Sequence, residues 1–382
     1  MRTRTFLEKM GAATELLQAS GPAAATAAIQ LALRGEASAG APSSAKSDIR
    51  AAANVKTSSV QLPSGDTEKC GPQAARRPMP VDVGIISAND DVGLGQFRSK
   101  TCTNRSGSRN YKLYIPNGYR GQALPLIVML HGCKQSPDDF AAGTRMNIAA
   151  EERNCFVVYP AQVTTANISG CWNWFLPNHQ QRDLGEPSII ADITRNVMRD
   201  YAIDRRRVYV AGLSAGGAMA AVMATTYPEL WAAVGLHSGL PYGAAHDVMS
   251  AFMAMKNGAS EVRAKESLLC RAHMPIIIFH GDDDTTVNVS NAEQALTQFA
   301  ANASGNTLNV SLTTGRVTGG RAYTRTTQIT DDGNIVTELW IVQGGGHAWS
   351  GGSEQGSYTD PCGPDATRAM VDFFFAHAKA AA

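Results

Sequence analysis

The run Arg207-Val208-Tyr209-Val210-Ala211-Gly212-Leu213-Ser214-Ala215-Gly216-Gly217 starts as a β-rich segment and passes directly into the Ala-rich helix former Ala218 to Ala224. A strand that breaks into a helix through Gly-x-Ser-x-Gly brings two backbones so close that only small residues fit around the turn. The pentapeptide alone is only moderately specific. Its placement between a strand and a helix makes it a nucleophile elbow, which displays a serine at the tip of a tight turn.

The rest of the chain supplies a sheet around that turn. Tyr111 to Ile115 reads as a strand and Leu124 to Leu130 as a buried one. Cys155 to Tyr159 follows, then a helix from Ser188 to Asp200. After the elbow come strands at Ala232 to Leu236, Pro275 to Phe279 and Ile335 to Val342, with a closing helix from Pro364 to Ala378. Short apolar β-branched runs alternating with helices predict an α/β fold, a mostly parallel sheet with helices on both faces. Sites in such sheets lie at the carboxyl ends of the strands.

With 382 residues, 44% hydrophobic and 18% charged, the chain suffices for a large single-domain core with extra segments. Residues 1–35 carry Phe6, Met10, Ala13 and Leu17 at helical spacing and a second apolar stretch from Ala23 to Leu33, parted by Gly21-Pro22. This predicts a short helical hairpin as an appendage. Residues 36–96 are rich in Ala, Ser, Gly, Pro and Asp and read as a flexible linker. The globular domain is expected over 97–382.

The formal charge of +1, from 34 basic and 33 acidic residues, shows no basic stripe with interleaved aromatics, so nucleic acid is not the expected partner. No apolar stretch is long enough to span a bilayer. Charges return where a signal peptide would place its apolar core, so none is recognisable. The seven cysteines show no Cys-x-x-Cys, and His-Glu-x-x-His is also missing, so no metal is expected. Their odd number leaves at least one thiol unpaired within a monomer. Cysteine usage leans toward an oxidising compartment and the amino terminus toward the cytoplasm.

A serine hydroxyl needs a base to take its proton and an acid to hold that base. When an elbow serine sits in an α/β-hydrolase sheet, the partners follow in the order acid, then histidine. The strand ending at Phe279 opens into His280-Gly281-Asp282-Asp283-Asp284. Asp284 is the preferred acid because it lies far enough past the strand for the loop to turn back; Asp282 is the second choice. Of eight histidines, His347 follows the acid, sits after a strand among Gly344-Gly345-Gly346, and precedes the last helix. An oxyanion hole would use the Ala215 amide and that of Cys133 in the loop after Leu130, where Gly132 permits the turn and His131 locks it.

Leu130-His131-Gly132-Cys133-Lys134-Gln135, Gly170-Cys171-Trp172-Asn173-Trp174-Phe175, Gly212 to Gly217, His237-Ser238-Gly239, Gly346 to Gly352 and Tyr358 to Ala366 together resemble the poly(3-hydroxybutyrate) depolymerase family of esterases. The resemblance spans about Phe97 to His377. It implies an α/β-hydrolase fold, ester hydrolysis without cofactor or metal, and Ser214, Asp284 and His347 as the triad. It further implies a short-chain poly(3-hydroxyalkanoate) polyester or its oligomers as substrate. Trp172, Trp174 and Trp349 would then line an exposed apolar groove adsorbing the polymer surface, and Cys133 would pair with Cys171 in a disulfide. Relatives of this kind are secreted, so an extracellular or periplasmic site is the expectation; the alternative is a cytoplasmic form whose hairpin adsorbs to polyester granules. The family shades into feruloyl and acetyl-xylan esterases acting on plant polysaccharide, which gives the rival substrate. A non-catalytic binding module on a hydrolase scaffold is the rival from another class.

Overall fold

The computed structural model describes residues 95–259, 274–300, 308–331 and 333–380. The expected hairpin over residues 1–35 and nearly all of the expected linker over residues 36–96 lie outside the described residues. Strand β1 (Gln96–Asn104) opens one residue inside that linker span.

Ten strands form one sheet. In chain order they are β1, β2 (Gly107–Ile115), β3 (Leu124–Leu130), β4 (Phe156–Pro160), β5 (Ile203–Leu213), β6 (Ala233–His237), β7 (Ile276–Gly281), β8 (Asn309–Arg316), β9 (Ala322–Ile329) and β10 (Ile335–Val342). Across the sheet they run β1-β2-β4-β3-β5-β6-β7-β10-β9-β8. The six from β4 to β10 pair in parallel, while β1, β2, β9 and β8 flank them antiparallel. Two short strands, β11 (Trp349–Ser350) and β12 (Thr359–Asp360), pair separately.

The central strands are buried on both sides, which is why they read as unbroken apolar runs. Successive side chains still alternate between two cores. Leu126, Val128 and Leu130 of β3 face one core, with Val208, Val210, Ile276 and Ile278. Ile127 and Met129 face the other, with Tyr209, Ala211, Ile277 and Phe279. The first core is covered by α3 (Gly185–Asp200), α4 (Ala215–Thr226), α5 (Val248–Asn257) and α6 (Ser290–Ala300). The second is covered by α1 (Pro137–Thr144), α2 (Met146–Arg153) and α7 (Ala366–Ala376). Helices thus cover both faces of a mostly parallel sheet, an α/β-hydrolase architecture. None among the described residues is long and apolar enough to cross a membrane.

Candidate active site

Ser214 stands between the end of β5 and the start of α4, with φ 56° and ψ −120°. A non-glycine residue there is strained, and the surroundings hold it so. Its amide donates to His237 O at 2.9 Å, and its carbonyl accepts from Ala218 N at 2.9 Å. The flanking glycines are small of necessity. A Cβ on Gly212 would overlap the Gly216 backbone, and one on Gly216 would overlap the Leu130 carbonyl. The elbow is therefore wedged against the end of β3.

The acid comes from the turn after β7. Asp284 Oδ1 accepts the amides of Thr286 and Val287 at 2.9 and 2.8 Å, and Oδ2 accepts from His347 Nδ1 at 2.7 Å. The side chain is fully buried. Burial alone would raise its pKa, but the adjacent His347, His280 and backbone donors outweigh that and hold the carboxyl below the usual range. With Nδ1 donating to the carboxylate, His347 keeps an Nε2 lone pair for a proton.

Asp282 and Asp283 serve otherwise, by fastening the loop that carries His347. Asp282 Oδ1 accepts from Gly344 N at 2.6 Å, and Asp283 N donates to Gly345 O at 3.0 Å. Gly281 packs so tightly against Gly345 that it has no room for a Cβ. Position alone left Asp282 and Asp284 as rivals, whereas the geometry pairs His347 with Asp284.

Opposite the elbow lies the loop after β3. A Cβ on Gly132 would sit 3.6 Å from Ser214 Cβ and 3.5 Å from Leu213 O, so this loop abuts the serine. Neither the Cys133 nor the Ala215 amide donates a hydrogen bond to any described residue; Ala215, at the first position of α4, has no partner within the helix. Ser214 Oγ is likewise without a hydrogen-bond partner among the described residues. His131 is buried. Its Nε2 accepts from Gln162 N at 3.0 Å, which leaves Nδ1–H to donate to Gly132 O at 2.8 Å. Burial, countered in part by the Gly132 bond, lowers its pKa and keeps it neutral.

Cys133 and Cys171 form a disulfide, tying this loop to the Trp172 segment. Lys134 N reinforces the tie by donating to Ser169 O at 2.8 Å. The three tryptophans correct an expectation: they form no exposed apolar groove. Trp172 and Trp349 are each 1% exposed and Trp174 5%. Trp172 Nε1 donates to His131 O at 3.2 Å, and Trp349 Nε1 to Thr367 Oγ1 at 3.0 Å. A buried indole with its N–H satisfied is scaffold.

Two supporting groups were not among the expected site residues, although His237 lies in one of the motifs that carry the resemblance. Glu186, buried at the start of α3, accepts from Asn173 N and Nδ2 at 2.7 Å each, with Arg109 Nη2 at 3.5 Å. It pins the Trp172 segment from behind. His237 lies flat between Phe279 and Trp349, and its Nε2 accepts from Ser350 N at 2.9 Å. Burial, with His280 and His347 nearby, lowers its pKa well below the usual value.

An elbow serine, a part-exposed histidine bonded to a buried aspartate, and two free amides beside the serine are the parts of an acyl-transfer site. The Esterase PHB depolymerase profile matches residues 109–319. The chain belongs to this family. Poly(3-hydroxyalkanoate) depolymerase C of Paucimonas lemoignei is 34% identical over 222 residues, 56% of this chain and 53% of that protein. The chain thus spans about half the length of that family relative. Feruloyl esterase B of Thermothelomyces thermophilus is 29% identical over 249 residues, 62% of this chain and 82% of that one. Among solved structures, the acetyl xylan esterase from Aspergillus awamori matches with a TM-score of 0.54 at 22% identity, covering 66% of this chain and 94% of that one. At that identity the likeness supports the α/β-hydrolase fold alone.

Proposed function

We propose that this protein is a serine esterase in which Ser214 is the nucleophile, His347 the general base and Asp284 the residue that holds it. The observation that carries this reading is the 2.7 Å bond from His347 Nδ1 to buried Asp284, in a sheet whose elbow bears Ser214. His347 Nε2 takes the serine proton as Oγ attacks an ester carbonyl, and returns it to the departing alcohol. The Cys133 and Ala215 amides receive the oxyanion, each worth about 3 kcal/mol of transition-state stabilisation. Water then releases the acyl group by the same steps. The Ser214 Oγ–His347 Nε2 hydrogen bond that this transfer needs forms when substrate fills the site, as catalytic bonds commonly do.

The proposed substrate is a short-chain poly(3-hydroxyalkanoate) or its oligomers, a reading supported at the level of the polyester by the 34% identity to a poly(3-hydroxyalkanoate) depolymerase. With the tryptophans buried, adsorption to polymer would have to use other surface residues. The second reading, a feruloyl or acetyl-xylan esterase, is favoured by the feruloyl esterase match that covers 82% of that relative. The catalytic unit is proposed to begin near β1, and the disulfide at Cys133–Cys171 supports action in an oxidising compartment.

A fluorophosphonate probe should label the protein at Ser214, and Ser214→Ala should abolish both labelling and turnover. Retention of turnover would remove the serine mechanism. Parallel assays on polyhydroxybutyrate film, 3-hydroxybutyrate oligomers, ethyl ferulate and acetylated xylan separate the substrate classes.

A further inference from the structure

The loop after β3 offers two adjacent amides near Ser214, those of Gly132 and Cys133, and only one remains free. Gly132 N donates to Gln135 Oε1 at 2.9 Å. The orientation of the Gln135 amide is dictated from its other end. Nε2 donates to Asp139 Oδ2 at 2.9 Å, to Ser357 O at 3.0 Å and to Ser357 Oγ at 3.3 Å. A carboxylate and a carbonyl can only accept, so the NH2 must face them and the oxygen must face Gly132.

Asp139 is itself held in place. Its Oδ1 accepts from Ser357 N at 2.9 Å and its Oδ2 from Ser357 Oγ at 2.6 Å. Gln135 is 8% exposed, so water competes poorly for these bonds. The far side of the loop is held by Lys134 N on Ser169 O and by the disulfide at Cys133. Lys134 sits between these two clamps at φ 66°, a left-handed conformation that a lysine adopts only under constraint.

We propose that Gln135 is a positioning residue that commits the oxyanion hole to the Cys133 amide. By occupying Gly132 N–H it denies that amide to the oxyanion, while its own backbone N–H and His131 Nδ1–H hold Gly132 O and with it the plane of the next peptide, which leaves the Cys133 N–H as the donor of this loop. Asp139 and Ser357 act through Gln135 by fixing which end of its amide faces the loop. This inference rests on the reading of Cys133 as an oxyanion donor.

The test compares Gln135→Ala, Gln135→Glu and the exchange Gln135→Glu with Asp139→Asn, using a soluble butyrate ester and a butyl trifluoromethyl ketone that forms a tetrahedral adduct with the serine. Both single variants should lose about tenfold to a hundredfold in kcat with KM nearly unchanged, somewhat less than deletion of a donor costs. Ketone affinity should fall by the same factor. The exchange should recover part of kcat, because an asparagine at position 139 can donate its NH2 to a glutamate at position 135, whose other oxygen still accepts from Gly132 N. Melting temperatures identify any variant whose loss is merely unfolding. Single variants with wild-type kcat and ketone affinity, or an exchange no better than Gln135→Glu alone, would overturn the proposal. Ser214→Ala measured alongside separates the two readings: its retained activity would defeat the serine mechanism itself, whereas its inactivity beside fully active Gln135 variants would defeat only this role.

Discussion

Asp284→Asn keeps the shape of the proposed acid and tests its chemistry. Oδ1 receives two backbone N–H groups, from Thr286 and Val287 at 2.9 and 2.8 Å, so the asparagine must place its oxygen there. Its NH2 then falls at the Oδ2 position, 2.7 Å from His347 Nδ1. It also faces His280 Nε2, 3.5 Å away and already donating to Val287 O, so no acceptor relieves it. Two donors cannot share that bond, so the imidazole must move its proton to Nε2 and present Nδ1 as acceptor. An Nε2 that carries a proton cannot take one from Ser214. The same change in a serine protease triad costs about 10⁴ in kcat, or about 5.5 kcal/mol of transition-state stabilisation. The assay is initial-rate kinetics on p-nitrophenyl butyrate, with circular dichroism and melting temperature as fold controls. Asp282→Asn is the matched comparison, since an asparagine oxygen can still accept from Gly344 N; its cost should stay within about 1 kcal/mol, the net worth of one hydrogen bond. An Asp284→Asn enzyme within about tenfold of wild type, which is about 1.36 kcal/mol, or one less impaired than Asp282→Asn, would refute the assignment.

Other perturbations test the frame around the triad. His131, His237 and His280 are held neutral, primarily by burial, with pKa values below that of the unfolded chain. The unfolded state therefore binds more protons as pH falls below about 6.5, and stability should drop by up to about 1.4 kcal/mol per pH unit for each histidine until the folded pKa is reached; urea titrations between neutrality and mild acid measure the slope, and a flat profile would contradict it. Asp284, whose folded pKa is depressed, adds a loss at still lower pH, as its carboxylate protonates. Cys171→Ala removes a bridge between cysteines 38 residues apart; it should cost about 4 kcal/mol of stability and reduce kcat by freeing the Cys133 loop, both readable from denaturation and kinetics. Gly216→Ala drives a Cβ into the Leu130 and His131 carbonyls, whereas Gly346 has open space around it; the first should lose about 3 kcal/mol or more by overpacking, and Gly346→Ala should stay within about 0.5 kcal/mol in the same denaturation assay.

The central fold was legible because burial on both faces writes itself into the sequence. β3 and β10 occupy the spans 124–130 and 335–342 that their apolar runs mark out. β1, β8 and β9 escaped because they are flanking strands in which polar residues dominate, as in Asn309–Arg316, and no apolar run sets them apart. Two helices did leave signals that apolar pattern alone passes over. Ser136 caps α1 ahead of Pro137, and Asp247 with Ser250 forms a capping box on α5. At the site, chain order led to His347, and the loop's distance past β7 favoured Asp284. The parts of Asp282 and Gln135 depend on which way an amide or carboxylate points across a fold, which no local pattern encodes.

The tryptophans show why a motif can be tied to a site without touching what the site binds. Trp172 holds the carbonyl of His131, whose ring in turn holds Gly132 and receives Gln162 N. Trp349 bonds to Thr367 at the start of α7, lies edge-on to Phe140 and stacks on His237, while residue 347 stands two positions before it. One indole therefore braces the loop with the free Cys133 amide, and the other braces the loop with the proposed base. Electrostatic stabilisation works when dipoles are aimed before charge develops, because no reorganisation is then required. A large flat ring with a single satisfied donor supplies that rigidity at both loops, and burying it is what makes it effective.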